Sequence, residues 1–324
     1  MRAVVLESYG GTEVLTIKDV PDPVPGPEEV LVQIHSTALN RADLLQRMGF
    51  YPGPPMEHEI PGMEFAGTVT AVGERVAARQ VGDEVMGIVG GGAYAEKLTV
   101  HERQTMLVPS SVGLADAAAI PEVWITAFDA LVAQSGLTSG MTALVHAGAS
   151  GVGTAAIQIA KGIGARIAVT ASSGKVEACR DLGADLAIDY TSEDYAEKVL
   201  ELTDGVGADV ILDVIGGDYL ARNLACVKTK GTIIQVGVMG SGNPEIDLGR
   251  ILRGRITLIG TVLRARPIEE KIAITQRFAT ELLPLFDRGS CKPVIDCRFP
   301  LDDIAAAHDH MAANANIGKI LVDL

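Results

Sequence analysis

The sequence predicts an α/β chain in two parts: a doubly wound parallel sheet in the middle, and an antiparallel barrel assembled from the two ends. Three observations carry this. From Leu144 onward, near-continuous apolar strands alternate with helix-period segments, as strands buried on both faces require. Before Pro121, short strands punctuated by Gly and Pro predominate, which is the pattern of a twisted, partly closed barrel. After Arg266 the alternation stops. The length of 324 residues exceeds the usual single domain, and a composition 48% hydrophobic supplies two ordinary cores.

Taken in order, the barrel strands are read at residues 2–7, 30–37, 64–72, 83–89 and 94–100, with one helix at 42–48. The central part opens with a short strand at Leu144 and Val145, a glycine turn and an apolar-faced helix. Further strands follow at 165–170, 186–190, 209–214, 231–237 and 256–261, with helices at 175–182, 193–203 and 219–228. The tail reads as a helix at 268–288, an extended stretch at 293–299, a helix at 301–314 and a strand at 319–322. It is expected to fold back onto the barrel. The domains are therefore set at 1–121 with 267–324, and at 122–266.

The glycine turn is the most informative stretch. Gly148, Gly151 and Gly153, with Ser150 and Val152 between them, stand where a strand turns into a helix. Lacking Cβ, the glycines let backbone approach a pyrophosphate, and a helix N-terminus offers that anion free N–H groups and a positive dipole end. The spacing is a variant of the common G-x-G-x-x-G dinucleotide fingerprint, and a tight turn packed with small residues is its plainer reading. The strand, turn and helix around it favour a dinucleotide and redox chemistry.

The region after the second strand separates NAD from NADP. An acid roughly 20 residues beyond the turn would grip the ribose hydroxyls of NAD. Here that region reads Thr170-Ala171-Ser172-Ser173-Gly174-Lys175, with no carboxylate. The hydroxyls of Ser172 and Ser173 and the ammonium of Lys175 suit a 2′-phosphate, so NADPH is expected. A capped helix start at the same serines is the alternative. Tyr190, ending the third strand, offers a further hydroxyl to this pocket, or is simply a half-buried strand end.

Net charge is −14 and the isoelectric point is near 4.9. No basic stripe is visible, so neither a nucleic-acid nor an anionic-membrane partner is expected. No apolar run is long enough to span a bilayer, and no signal peptide is read at the start. Cys179, Cys226, Cys291 and Cys297 lack metal-site or disulfide spacing, which points to a reducing, cytoplasmic setting and no metal.

Five stretches together resemble one family: residues 38–44 (ALNRADL), 119–128 (AIPEVWITAF), 146–159, 211–217 (ILDVIGG) and 315–320 (ANIGKI). The chain resembles the zinc-free, zeta-crystallin-like quinone oxidoreductase branch of the medium-chain dehydrogenase/reductase superfamily. The resemblance implies a GroES-like barrel plus a Rossmann domain, with the active site in a cleft between them. It also implies a homodimer or tetramer joined through the edge strand at residues 255–263. On the substrate side it brings forward Tyr51, Asn40 and Asp43. Tyr51 suits hydrogen bonding to a carbonyl oxygen, against a surface tyrosine in loop 49–55. For Asn40 and Asp43 the alternative is a helix cap with an acid in the first turn. On the cofactor side it implies Thr126 near the carboxamide, Val238, Met239, Ile259 and Thr261 flanking the nicotinamide, and Asn316 and Lys319 reaching it from the tail. Each has a plainer reading: a helix hydroxyl, strand-ending turns and a surface cation.

Zinc members of the superfamily use Cys and His ligands; the corresponding places here look like Asn40 and Met63, neither a zinc ligand by type. A quinone spreads incoming negative charge over its own π system and needs no Lewis acid. NADPH-dependent quinone reduction is therefore the leading expectation. A reductase of conjugated double bonds in enoyl thioesters comes second, and an NADPH-binding protein with structural or RNA-binding duty third.

Overall fold

The computed structural model describes all 324 residues. They form two compact units, Met1–Ile125 with Arg264–Leu324, and Thr126–Leu263. The divisions at 125/126 and 263/264 lie within a few residues of those read from sequence at 121/122 and 266/267, and the first falls inside the helix Pro121–Phe128.

The first unit begins with β1 (Arg2–Val5) and β2 (Thr16–Asp19), an antiparallel pair. Then come β3 (Glu29–Ala38), α1 (Arg41–Arg47), β4 (Glu64–Val72), β5 (Glu84–Ile88), β6 (Lys97–His101), β7 (Thr105–Leu107), α2 (Leu114–Ala117) and α3 (Pro121–Phe128). On β3, Val30, Val32 and Ile34 alternate inward while Gln33 and His35 face water, the period-two pattern of a strand with one buried face. They pack with Phe65, Val69, Val85, Leu98 and Val100 of the neighbouring strands. The short strands β2 and β7 carry too little alternation to be read from sequence.

The second unit comprises β8 (Thr142–Val145), α4 (Gly151–Ile163), β9 (Arg166–Ala171), α5 (Val176–Asp181), β10 (Leu186–Asp189), α6 (Tyr195–Leu202), β11 (Ala208–Asp213), α7 (Tyr219–Cys226), β12 (Val227–Gln235), α8 (Leu248–Gly254) and β13 (Thr257–Gly260). All six strands are parallel, in the order β10-β9-β8-β11-β12-β13. This is the doubly wound order, and its direction reverses between β8 and β11, where ligands bind at the carboxyl ends. Leu144, Ile188, Ile211 and Ile233 from four strands are fully buried in one core. Each contributes about 1.5–3 kcal/mol by burial.

The tail holds α9 (Ile268–Glu281), α10 (Leu283–Asp287), β14 (Ile295–Pro300), α11 (Ile304–Ala312) and β15 (Lys319–Asp323). The single helix expected at 268–288 is broken, because Pro284 lies in the first turn of α10 and cannot continue an earlier helix. β15 pairs antiparallel with β3 and parallel with β14, so the tail completes the sheet of the first unit.

Candidate active site

In the second unit, β8 ends at Val145 and α4 starts at Gly151. Ser150 caps the helix: its Oγ accepts the N–H of Gly153 at 3.1 Å. The N–H groups of Gly151 and Val152, in the first turn, have no intrahelical acceptor. The turn itself needs its glycines for internal reasons. A Cβ on Gly148 would lie 2.6 Å from Val169, and one on Gly153 would lie 2.4 Å from the Ala147 carbonyl oxygen. Ala147, not one of the glycines, takes the left-handed φ in this turn, 57°.

Beneath the turn lies a buried network that sequence reasoning missed. His146 Nε2 donates to Asn223 Oδ1 at 2.8 Å, and His146 Nδ1 lies 3.1 Å from the Thr170 hydroxyl. Asn223 Nδ2 donates to Asp213 Oδ2 at 2.8 Å, and Asp213 Oδ1 accepts the N–H groups of Ile215 and Gly216. The Tyr195 hydroxyl is 3.0 Å from Asn223 Oδ1. Burial holds His146 below the usual histidine value, so it is neutral and Nδ1 accepts. The network ties the ends of β8, β9 and β11 together at the switch point. Asn223→Ala leaves the buried His146 N–H and Asp213 Oδ2 unpaired, and is expected to destabilise the protein by about 3 kcal/mol in urea unfolding followed by circular dichroism.

At the end of β9, Ser172 makes no side-chain cap and Ser173 points elsewhere, so the helix-capping alternative is not realised. The Ser173 hydroxyl donates to Asp189 Oδ2 and lies 3.2 Å from the Thr191 hydroxyl. The segment 170–175 itself holds no carboxylate, but Asp189 from another strand stands against it. Parallel pairing sets Asp189 beside Ala171, bringing an acid from the third strand to the loop after the second. Tyr190 is exposed next to it.

At the ends of β12 and β13, Val238 and Met239 are exposed by half or more. Thr261 donates its N–H to the Gln235 carbonyl at 3.0 Å, and its hydroxyl accepts from Gln134 Nε2 at 2.8 Å. Ile259 is half-buried beside it, and Thr126 is buried at the start of the unit. Gln134, which no motif flagged, sits on the wide π-turn Asp129–Gln134 that follows α3.

The substrate-side candidates lie in the first unit. The Asp43 carboxylate caps α1 by accepting the Asn40 N–H at 2.8 Å. The Asn40 amide donates to Glu64 Oε1 at 2.8 Å and accepts from Lys319 Nζ at 2.6 Å. Lys319 is a correction. Its ammonium is buried, donating also to the Leu39 carbonyl at 2.7 Å and to Glu64 Oε1 at 2.7 Å. With all three protons engaged, it is neither a surface cation nor free for a cofactor. Glu64 Oε2 accepts the N–H of Glu122, at the start of α3. Asn316 Nδ2 donates to the Gly318 carbonyl at 2.8 Å.

Asp43 is likewise corrected: it is fully buried, so it cannot touch a substrate and acts as a cap. Burial pushes its carboxyl up to about 6, against the pull of the Asn40 N–H, Lys319 and Tyr94. A carboxyl raised on folding binds its proton more tightly in the native state. Its stability contribution is therefore present at low pH and lost as pH rises from about 4 to 6. Asp43→Asn is expected to flatten stability over that window by on the order of 2 kcal/mol, in unfolding curves at stepped pH.

Tyr51 stands on loop 49–55, half-buried, and burial raises its phenol above the usual value. It is held by Arg264, a residue without any sequence signal. The guanidinium carbon lies 4.9 Å from the Tyr51 ring centroid. Its nitrogens donate to the carbonyls of Tyr51 at 3.1 Å and Gly90 at 2.6 Å, and to Gln46 Oε1 at 2.6 Å.

The zinc-ligand position does not fit a metal. Asn40 and buried Met63 supply an amide and a thioether, and the Lys319 ammonium already pairs with Glu64 and Asn40. A divalent cation there would be opposed by that charge. All four cysteines are free thiols. No helix is long and apolar enough to cross a membrane.

Two family models match the chain: an alcohol dehydrogenase GroES-like domain over residues 26–110, and a zinc-binding dehydrogenase over residues 151–280. The Quinone oxidoreductase of Pseudomonas aeruginosa is 35% identical, covering 99% of each chain. The Synaptic vesicle membrane protein VAT-1 homolog of Rattus norvegicus is 32% identical over 99% of this chain and 84% of its own. Among solved structures, a Pseudomonas syringae pv. Tomato DC3000 quinone oxidoreductase superposes with a TM-score of 0.91 at 31% identity, covering 100% of this chain and 99% of that one. Escherichia coli quinone oxidoreductase complexed with NADPH gives 0.90 at 26%, with both chains fully covered. JamJ enoyl reductase gives 0.89 at 27%, covering 99% and 98%.

Proposed function

This chain belongs to the quinone oxidoreductases of the medium-chain dehydrogenase/reductase superfamily, and from that premise we propose that it reduces small quinones with NADPH, without zinc. One observation carries the reading. The position where a zinc-dependent relative needs metal ligands is filled by a closed Asn40–Glu64–Lys319 cluster with its own buried cation. The acceptor must therefore carry incoming charge itself, as a quinone does.

The second unit fits a dinucleotide. The N–H groups of Gly151 and Val152 and the Ser150-capped start of α4 would receive the pyrophosphate. Ser172, Ser173, Lys175 and Tyr190 would meet the adenosine ribose and its phosphate; Val238, Met239, Ile259, Thr261 and Thr126 would line the nicotinamide. When bound, NADPH supplies the hydride. Tyr51, its proton retained by burial, donates a hydrogen bond to the acceptor oxygen as negative charge grows there. Arg264 orients Tyr51, and Asn40, fixed by Glu64 and Lys319, presents a rigid polar wall. The proposal includes a homodimer through the sheet edge β13, where Leu258 is exposed, and a cytoplasmic setting that keeps the thiols reduced.

The test is NADPH oxidation by purified protein given benzoquinone, naphthoquinone, phenanthrenequinone or a short enoyl thioester. Turnover with a quinone is expected. The likeness to JamJ enoyl reductase supports the second reading, a conjugated double-bond reductase. Turnover of the thioester with no quinone active would replace the first reading by the second.

A further inference from the structure

The corner between β9 and β10 carries two opposed signals. Lys175 lies in the loop after β9, and its cation favours a 2′-phosphate. Facing that loop, Asp189 is held as an acceptor from several sides. Ser173 donates its hydroxyl proton to Oδ2, while the Thr191 N–H at 3.0 Å and hydroxyl at 2.6 Å donate to Oδ1. These hydrogen bonds, Ser173 first, pull the carboxyl down to about 2, so it is charged at neutral pH. A second carboxylate, Glu193, accepts the N–H of Asp189 at 2.9 Å.

A serine hydroxyl has a single hydrogen, and here Asp189 receives it. What Ser173 then offers a ligand is lone pairs. A ribose 2′-hydroxyl can donate to them; an ionised 2′-phosphate can only accept and meets an acceptor beside a fixed negative charge. We propose that Asp189, acting directly and through Ser173, is a specificity-determining residue that restrains the preference for NADPH, so that the protein also takes NADH. The proposal rests on reading the loop at residues 172–175 as the adenosine-ribose end of the dinucleotide site.

Asp189→Asn removes the charge and keeps the shape. It also frees the Ser173 proton to turn outward. Binding of NADPH and NADH to the full-length protein, each by calorimetry at one ionic strength, reads the effect without any acceptor. The wild type is expected to bind both within about tenfold, and Asp189→Asn to raise the NADPH-to-NADH affinity ratio by about tenfold. Asp189→Ser, also uncharged, should move the ratio the same way, and guards against a folding defect peculiar to one variant. Lys175→Ala should move it the opposite way. If both dinucleotides bind and neither Asp189 variant changes the ratio, the role of Asp189 is overturned. If neither dinucleotide binds the wild type, the proposed function fails as well, which the first outcome leaves standing.

Discussion

Lys319→Met is expected to destabilise the first unit by about 3–5 kcal/mol, because it strands a buried charge. The Lys319 ammonium is 3% exposed and its partner Glu64 is fully buried. Removing it leaves Glu64 with only the Asn40 amide and the Glu122 N–H, and leaves the Leu39 carbonyl unpaired. Desolvation of the remaining carboxylate, rather than loss of attraction, sets the size of the effect. The double substitution Glu64→Gln with Lys319→Met removes both charges and should recover a large part of the loss. The single tryptophan, Trp124, lies buried in this unit with its ring 4.6 Å from that of Phe286. Its fluorescence during urea unfolding therefore reports the unit concerned. A double variant no better than Lys319→Met alone would mean that packing, not charge, holds this cluster.

Tyr51→Phe is expected to lower kcat with a quinone by about 10²-fold while dinucleotide affinity stays unchanged. The phenol is the one substrate-side candidate that is neither capped nor closed into the Asn40–Glu64–Lys319 cluster. Asp43 is buried and the Asn40 amide is engaged at both ends. Arg264→Ala should act on the same group indirectly. It removes three hydrogen bonds and the ring contact that fix the Tyr51 loop, so a rise in KM should accompany the loss of kcat. Steady-state kinetics with one quinone, beside NADPH titration by fluorescence, separates the two effects. A Tyr51→Phe enzyme with wild-type kcat would remove the phenol from the chemistry.

The parallel sheet was legible because β8, β9, β10 and β11 are unbroken apolar runs between helix-period segments, and the strand-turn-helix at residues 144–163 has one economical reading. Less regular elements were not. The segment that forms α8 is short and rich in arginine and glycine, and β2 and β7 pair through only three or four residues. Helix ends followed proline chemistry at Pro284 and an early turn to extended backbone at Val227, which sequence periodicity does not register. The site divides in the same way. Its glycines and hydroxyls are local signals. Asp189, Arg264, Asn223 and the Lys319–Glu64 pair take their meaning from residues 16 to 255 positions away, joined only by sheet register and chain return. A lysine three residues from an asparagine near the chain end looks like a surface cation until β15 is laid beside β3.

Electron transfer from NADPH to a quinone is expected to proceed without a metal ion. The most direct measurement is the rate of NADPH oxidation by a quinone before and after exhaustive dialysis against a strong chelator, with metal content followed by elemental analysis. The buried Lys319 ammonium in the Asn40–Glu64 cluster predicts the same rate in both samples, at a metal content far below one ion per chain. A rate abolished by the chelator and restored by added zinc would contradict it.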